Sequence, residues 1–251
     1  MVENCIVHKE LTMKQFILAI ILAIVLILWA TIASALEFHP SPLNLSHGTW
    51  GSAHEKTHTV NSKLRQRFGG ECYYLSRDST YVRFAKTSGV TLGQVASKCE
   101  HKGGIFGLYM RQGARWWNDT PLYTFDEWVS YTNGSMSYMK SSPREANHSL
   151  TCMFEMGYYA YITIQCLPDT YVDKQNALEF WIWHAKYNME LSKEAEEKGL
   201  FSAKQKEWRD IMVSLLPVVD KSDWIRIEQP KDDWIRIEQP KNEPPKSEKK
   251  T

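Results

Sequence analysis

The chain has 251 residues, 43% of them hydrophobic, with 30 Lys+Arg against 29 Asp+Glu and a formal net charge of +1. That balance gives no global electrostatic reason to expect a nucleic-acid partner. The length allows one or two small domains beside any targeting segment, and ten tryptophans load the chain with aromatic area that a core must absorb.

The first organised stretch is residues 15–36, QFILAIILAIVLILWATIASAL, which carries no charge. As a helix rising about 1.5 Å per residue it is long enough for a hydrocarbon core of roughly 30 Å. Two readings stay open. Met13-Lys14, an apolar core and Ala33-Ser34-Ala35 follow the grammar of a secretory signal peptide. Read from Met1, residues 1–35 are instead a type II membrane anchor. Both place the rest of the chain in the secretory pathway, secreted or at the cell surface. Cys72, Cys99, Cys152 and Cys166 then form an even set in an oxidising compartment, which reads as two disulfides with three connectivities open. Sequons at Asn44, Asn118, Asn133 and Asn147 predict glycosylated, water-facing loops.

Residues 36–68 read as an irregular polar lead-in, broken by Pro40, Pro42, Gly48 and Gly51. His39, His47, His54 and His58 make it histidine-rich. His54 and His58 have the i, i+4 spacing that lets two rings share a metal on a helix. With no third ligand in register they are read as solvent-exposed, and no metal or cofactor is assigned. From Gly69, Cys72–Ser76 and Tyr81–Phe84 are strand-like. Thr91 and Gln94 form a capping box for a short helix whose apolar face is Leu92, Val95, Ala96 and Cys99. Gly103-Gly104 is expected to cap it in the left-handed manner, before an extended run from Ile105 to Tyr109.

This order, a Cys-Tyr-Tyr strand, a helix ending near a cysteine, Lys-Gly-Gly and an apolar run, resembles the start of a C-type lectin-like domain. Trp117-Asn118-Asp119-Thr120-Pro121-Leu122-Tyr123-Thr124-Phe125-Asp126-Glu127-Trp128 resembles that family's W-x-D-G-x-P-x-x-[FY]-x-x-W stretch, with the glycine missing and Pro121 one place early. Cys152–Met156 resembles the strand bearing a conserved cysteine, and Tyr159–Ile162 the closing strand. The resemblance implies a Cys99–Cys166 bridge, leaving Cys72 to Cys152. It implies a protein or glycan ligand, without calcium, because no Glu-Pro-Asn-type triplet lies between Cys99 and Cys166.

Beyond Pro168 the period becomes helical. Leu178, Trp181, Ile182, Ala185 and Met189 predict a helix over about 172–197, stopped by Gly199. Ser202 and Gln205 open a second, striped by Trp208, Ile211, Met212 and Leu215. The pair reads as a helical hairpin over 169–217 that packs on the domain before it, or alternatively offers a surface for self-association or a partner. Residues 218–251 read as a flexible tail with a tandem Trp-Ile-Arg-Ile-Glu-Gln-Pro repeat.

No G-x-S-x-G elbow, phosphate loop or Rossmann glycines occur, and no metallopeptidase signature is recognised, so the chain reads as a non-enzyme. The expected architecture is α+β: a disulfide-stapled C-type lectin-like domain over 69–168, then the hairpin and the tail. The expected function is an exported glycoprotein binding a protein or glycan ligand. The alternative is a structural or interaction protein acting through the hairpin and the tail.

Overall fold

The computed structural model describes residues 36–48, 51–87 and 89–216. All but the last residue of the apolar segment, and the whole repeat tail, lie outside the described residues. In chain order come β1 (His39–Pro40), a 3-10 turn (Leu45–His47), α1 (Ala53–Phe68), β2 (Glu71–Leu75) and β3 (Thr80–Phe84). Then follow α2 (Leu92–Lys98), a π-helical turn (Gly107–Gln112), α3 (Ala114–Trp117), α4 (Tyr123–Ser141), α5 (Pro143–Cys166), α6 (Lys174–Glu197) and α7 (Ala203–Leu215). The strands form one antiparallel sheet in the order β1-β3-β2. The lectin-like α+β expectation is therefore corrected to a mainly helical fold with a small sheet on one side. Among the described residues no helix is long and apolar enough to cross a membrane.

The central unit is the antiparallel pair α4–α5, joined at Ser142 with Pro143 opening α5. The segments expected to be lectin strands, Cys152–Met156 and Tyr159–Ile162, lie inside α5. The reason is burial. α5 is covered on nearly every side, with Leu150, Met153, Phe154, Met156, Tyr159 and Ala160 all at 0% exposure. A helix buried all round shows no amphipathic stripe, and its Tyr, Phe and Ile mimic strand composition. The Trp117–Trp128 stretch likewise turns into α4, where Phe125 and Trp128 enter an aromatic core with Tyr73, Phe84, Phe180 and Trp181. Trp128 Nε1 donates to Asn188 Oδ1 at 2.7 Å, and Trp181 Nε1 donates to the Gly157 carbonyl at 2.7 Å. Both buried indole donors are thus satisfied.

Local signals held where the segments lie near the surface. The Thr91–Gln94 and Ser202–Gln205 capping boxes are both formed, and Gly199 ends α6 at φ +67°. Gly103 and Gly104 are not a left-handed cap, since α2 ends at Cys99; a Cβ on Gly103 would collide with the Glu155 carboxylate. Ile105–Tyr109 leads into the π-helical turn rather than a strand. α6 and α7 both pack against α5, so Trp181 and Trp208 are core residues.

The lead-in at 36–68 is corrected too, because its second half is α1. Ser52 caps it by accepting from the Glu55 amide, and Gly69 closes it at φ +72°. Only Val60 and Leu64 are apolar on its buried face, beside His54, Thr57 and Asn61. That polar face hides the helix from any apolar count.

Disulfides are corrected as well: Cys72, Cys99, Cys152 and Cys166 are all free thiols. Cys72 packs with Val60, Leu64 and Tyr74 between α1 and the sheet, while Cys152 lies on α5 beside His148. Burial pushes Cys72 up to about 11 and Cys152 up to about 12. Of the sequons, Asn133 is buried inside α4. Its amide donates to Thr57 Oγ1 and the Tyr74 carbonyl, and its oxygen accepts from Ser76. That side chain is committed to the fold and cannot carry a sugar in it. Asn44 and Asn147 are exposed, and Asn118 is half-buried.

Two measurements check this packing. Alkylation of native protein without reductant should label half-buried Cys166 first, and Cys72, Cys99 and Cys152 only after unfolding. His184 is completely buried, its Nε2 lying 3.0 Å from Thr132 Oγ1, and burial pushes it down to about 3. The unfolded chain binds that proton near pH 6.5 and the folded chain does not. Its stabilisation is complete above about pH 6.5 and falls by about 1.4 kcal/mol per pH unit as pH drops towards 3. Urea midpoints between pH 7 and pH 5 should fall less steeply in His184→Phe than in the parent.

Candidate metal centre

The first two turns of α1 carry His54-Glu55-Lys56-Thr57-His58. This is an H-E-x-x-H, so the expectation that the chain lacks a metallopeptidase signature is corrected. On a helix the spacing sets two imidazoles on one face with the glutamate beside them. The second correction is that the pair does not face open solvent. His54 is 9% exposed, and both rings point at α4.

His54 Nε2 and His58 Nε2 lie 3.1 Å apart. Glu127, on α4, brings Oε2 to 3.5 Å from His54 Nε2 and Oε1 to 3.5 Å from His58 Nε2. The three donor atoms fall within 4.8 Å of one another. Zn–N bonds of about 2.0–2.1 Å in a tetrahedral site place neighbouring donors roughly 3.3 Å apart, so the spacing fits one small divalent ion. Glu127 Oε2 is buried and has no hydrogen-bond partner. A buried carboxylate oxygen left unpaired costs free energy, and a cation among these donors would satisfy it.

Asp126, the neighbour of Glu127, works on the other side of the imidazole. Its Oδ1 accepts from His58 Nδ1 and from Asn61 Nδ2, both at 2.8 Å, and its Oδ2 accepts from Arg65 Nη1 at 2.6 Å. The bond to Nδ1 fixes the ring and leaves Nε2 as the atom aimed at Glu127, as carboxylate partners do for metal-bound histidines. Burial alone would raise the Asp126 pKa, but the bond and charge of His58 and the charge of Arg65 outweigh it and hold the carboxyl below the usual range. Burial would lower His58, and bonds and charge from Asp126 and Glu127 overcome that to raise it well above an ordinary histidine. His54 is held low by burial and by the neighbouring His58 charge.

Around this cluster stand phenols. Tyr123, one turn before Glu127, donates to Glu127 Oε1. The Tyr131 ring lies 4.3 Å from the His54 ring, and its hydroxyl is 2.7 Å from that of Tyr109. Gly134 gives His54 its place, since a Cβ there would come within 3.2 Å of the His54 Cβ. Glu55 faces solvent, 63% exposed, with Oε1 3.9 Å from His54 Nε2.

No family model, no curated protein and no solved structure matches the chain. Within α1 the sequence signal was complete: Ser52 and Glu55 mark a helix start, and the H-E-x-x-H follows. Glu127 and Asp126 carry no local signal. They sit 69 and 68 residues beyond His58 and join it only through helix packing.

The two adjacent carboxylates should respond oppositely to neutral substitution. Asp126→Ala should cost about 3–5 kcal/mol, because it strands the buried Arg65 and His58 charges. Glu127→Gln should leave stability unchanged or raise it by about 1 kcal/mol, because the amide relieves an unpaired buried oxygen and donates towards His54. Urea denaturation of the metal-free proteins reads both.

Proposed function

We propose that this protein is a metal-dependent hydrolase, with peptide bonds as its first substrate class, using one divalent ion of the zinc type. The carrying observation is the convergence of His54 Nε2, His58 Nε2 and the Glu127 carboxylate, one oxygen of which is orphaned, on the buried side of an H-E-x-x-H helix. Two imidazoles and one carboxylate are the ligand set of a catalytic zinc site, which keeps a further position open. A closed structural site would show a fourth protein donor. Among the described residues the cluster has three.

When bound, the ion supplies charge stabilisation and a water acidified towards neutral pH. The chain's own residues do the rest. His54, His58 and Glu127 hold the centre, and Asp126 locks the His58 ring. Tyr123 fixes the Glu127 carboxylate through Oε1 and leaves Oε2 free to face the ion. Glu55, solvent-facing beside His54, is the general base: it accepts a proton as the water oxygen bonds to the substrate carbonyl. It returns that proton to the leaving nitrogen as the C–N bond breaks. This reading replaces ligand binding by a lectin-like domain, whose fold the chain does not have.

Titrating the full chain with Co²⁺ should give one equivalent of tight binding with visible absorption of a four- or five-coordinate N₂O site. His54→Ala and Glu127→Gln should lose that signal. Glu55→Gln should keep it while lowering hydrolysis of a mixed fluorogenic peptide library by about 10²–10⁴-fold. Absence of stoichiometric binding in the parent refutes the metal centre. Binding with equal turnover in the parent and Glu55→Gln refutes the catalytic assignment.

A further inference from the structure

Five large apolar residues are exposed among the described residues, and three of them, Leu108, Trp116 and Trp117, fall in one short run at 54%, 79% and 40%. That run is the π-helical turn Gly107–Gln112 followed, after Gly113, by α3. Its inner side is anchored by Met110, which is 1% exposed, so the outer side stands on a fixed base. Arg111 and Arg115 are exposed on the same run, and Lys102 is exposed just before it. The Lys102 ammonium and the Arg111 guanidinium both lie 5.4 Å from the centre of the Phe106 ring, which gathers the two cations at one place. Between Glu100 and Asp119 the sequence has no acidic residue. A chain of net charge +1 has therefore concentrated cations where it also exposes indoles.

Exposed indoles with interspersed arginines are the composition of a surface that lies in a lipid headgroup layer, the rings at the acyl boundary and the cations among phosphates. We propose that this face, Leu108, Trp116 and Trp117 with Lys102, Arg111 and Arg115, docks onto the surface of an anionic phospholipid bilayer. The docking is independent of the metal centre. Its position still matters to that centre, since the Trp117 ring stacks on Tyr123 at 4.4 Å and Tyr123 donates to Glu127. A docked protein would carry its hydrolytic site at the lipid–water boundary.

Hydrogen–deuterium exchange on the full chain locates the contact, separating it from any lipid affinity of residues 15–36. The probes are vesicles of pure phosphatidylcholine and of phosphatidylcholine with about a third phosphatidylserine. Exchange over 107–117 should slow with the anionic vesicles only. The anionic-vesicle concentration that half-protects 107–117 should rise roughly 30-fold in Arg111→Gln/Arg115→Gln, at the usual contribution of a basic residue near such a surface. Trp116→Ala should weaken the protection of 107–117 without changing its dependence on lipid charge. Unchanged exchange over 107–117 overturns the proposal, as does protection by polyglutamate without protection by vesicles, which would assign the face to an acidic protein. None of these outcomes touches the Co²⁺ titration, so the two readings fail separately.

Discussion

One buried carboxylate holds the molecule's functional face together. Asp126 lies in the first turn of α4, and every partner it has comes from α1: His58, Asn61 and Arg65, spaced one and two turns apart on a single helical stripe. Three charge-assisted hydrogen bonds on one desolvated acid dock a helix that has only two buried apolar side chains of its own. Without that acid the polar stripe of α1 would have no reason to turn inward. With it, the neighbouring Glu127 is carried to the outer nitrogens of the same imidazoles. Docking of the helix and assembly of the ligand set are thus one event.

The small sheet serves this arrangement without offering itself to a substrate. β2 is an edge strand, and exposed edges invite pairing with other chains. Here its free side is claimed by side chains. The Tyr74 amide donates to Asn61 Oδ1 at 2.7 Å, and the Tyr74 carbonyl accepts from Asn133 Nδ2 at 2.9 Å. One asparagine comes from α1 and the other from α4, so the sheet edge is a third wall clamping the two site helices. This side of the strand is therefore closed to pairing with another chain at Tyr74.

Stability and chemistry pull against each other at Glu127. A carboxylate with one oxygen bound by Tyr123 and the other orphaned is a poor choice for a core and a good one for a cation. The fold tolerates it because the surrounding packing is tightly filled: Gly134 lets α1 approach α4, and a Cβ on Gly157 would collide with Met212 and the Trp128 indole. The same economy explains the free cysteines. Each is placed as a small apolar side chain within or beside the packing, and a chain with this much buried aromatic area does not need covalent staples.

What the sequence determined by itself was local. Thr91 with Gln94, Ser202 with Gln205, the strand-like Cys72–Ser76 and Tyr81–Phe84 and the stop at Gly199 were legible because each signal is completed within a few residues of its own chain. The H-E-x-x-H of α1 was equally local, complete in five consecutive letters, though it lay in a stretch whose polar composition disguised a helix. Tertiary structure alone decided the rest. α4 and α5 are covered on most sides, so no periodic contrast between wet and dry faces marked them as helices, and their aromatics imitated lectin strands. Asp126 and Glu127 stood only as letters of the lectin-like Trp117–Trp128 stretch until packing brought them, from dozens of residues away, onto the two imidazoles. Periodicity reports which side of a segment avoids water; it carries no record of which distant segment covers that side.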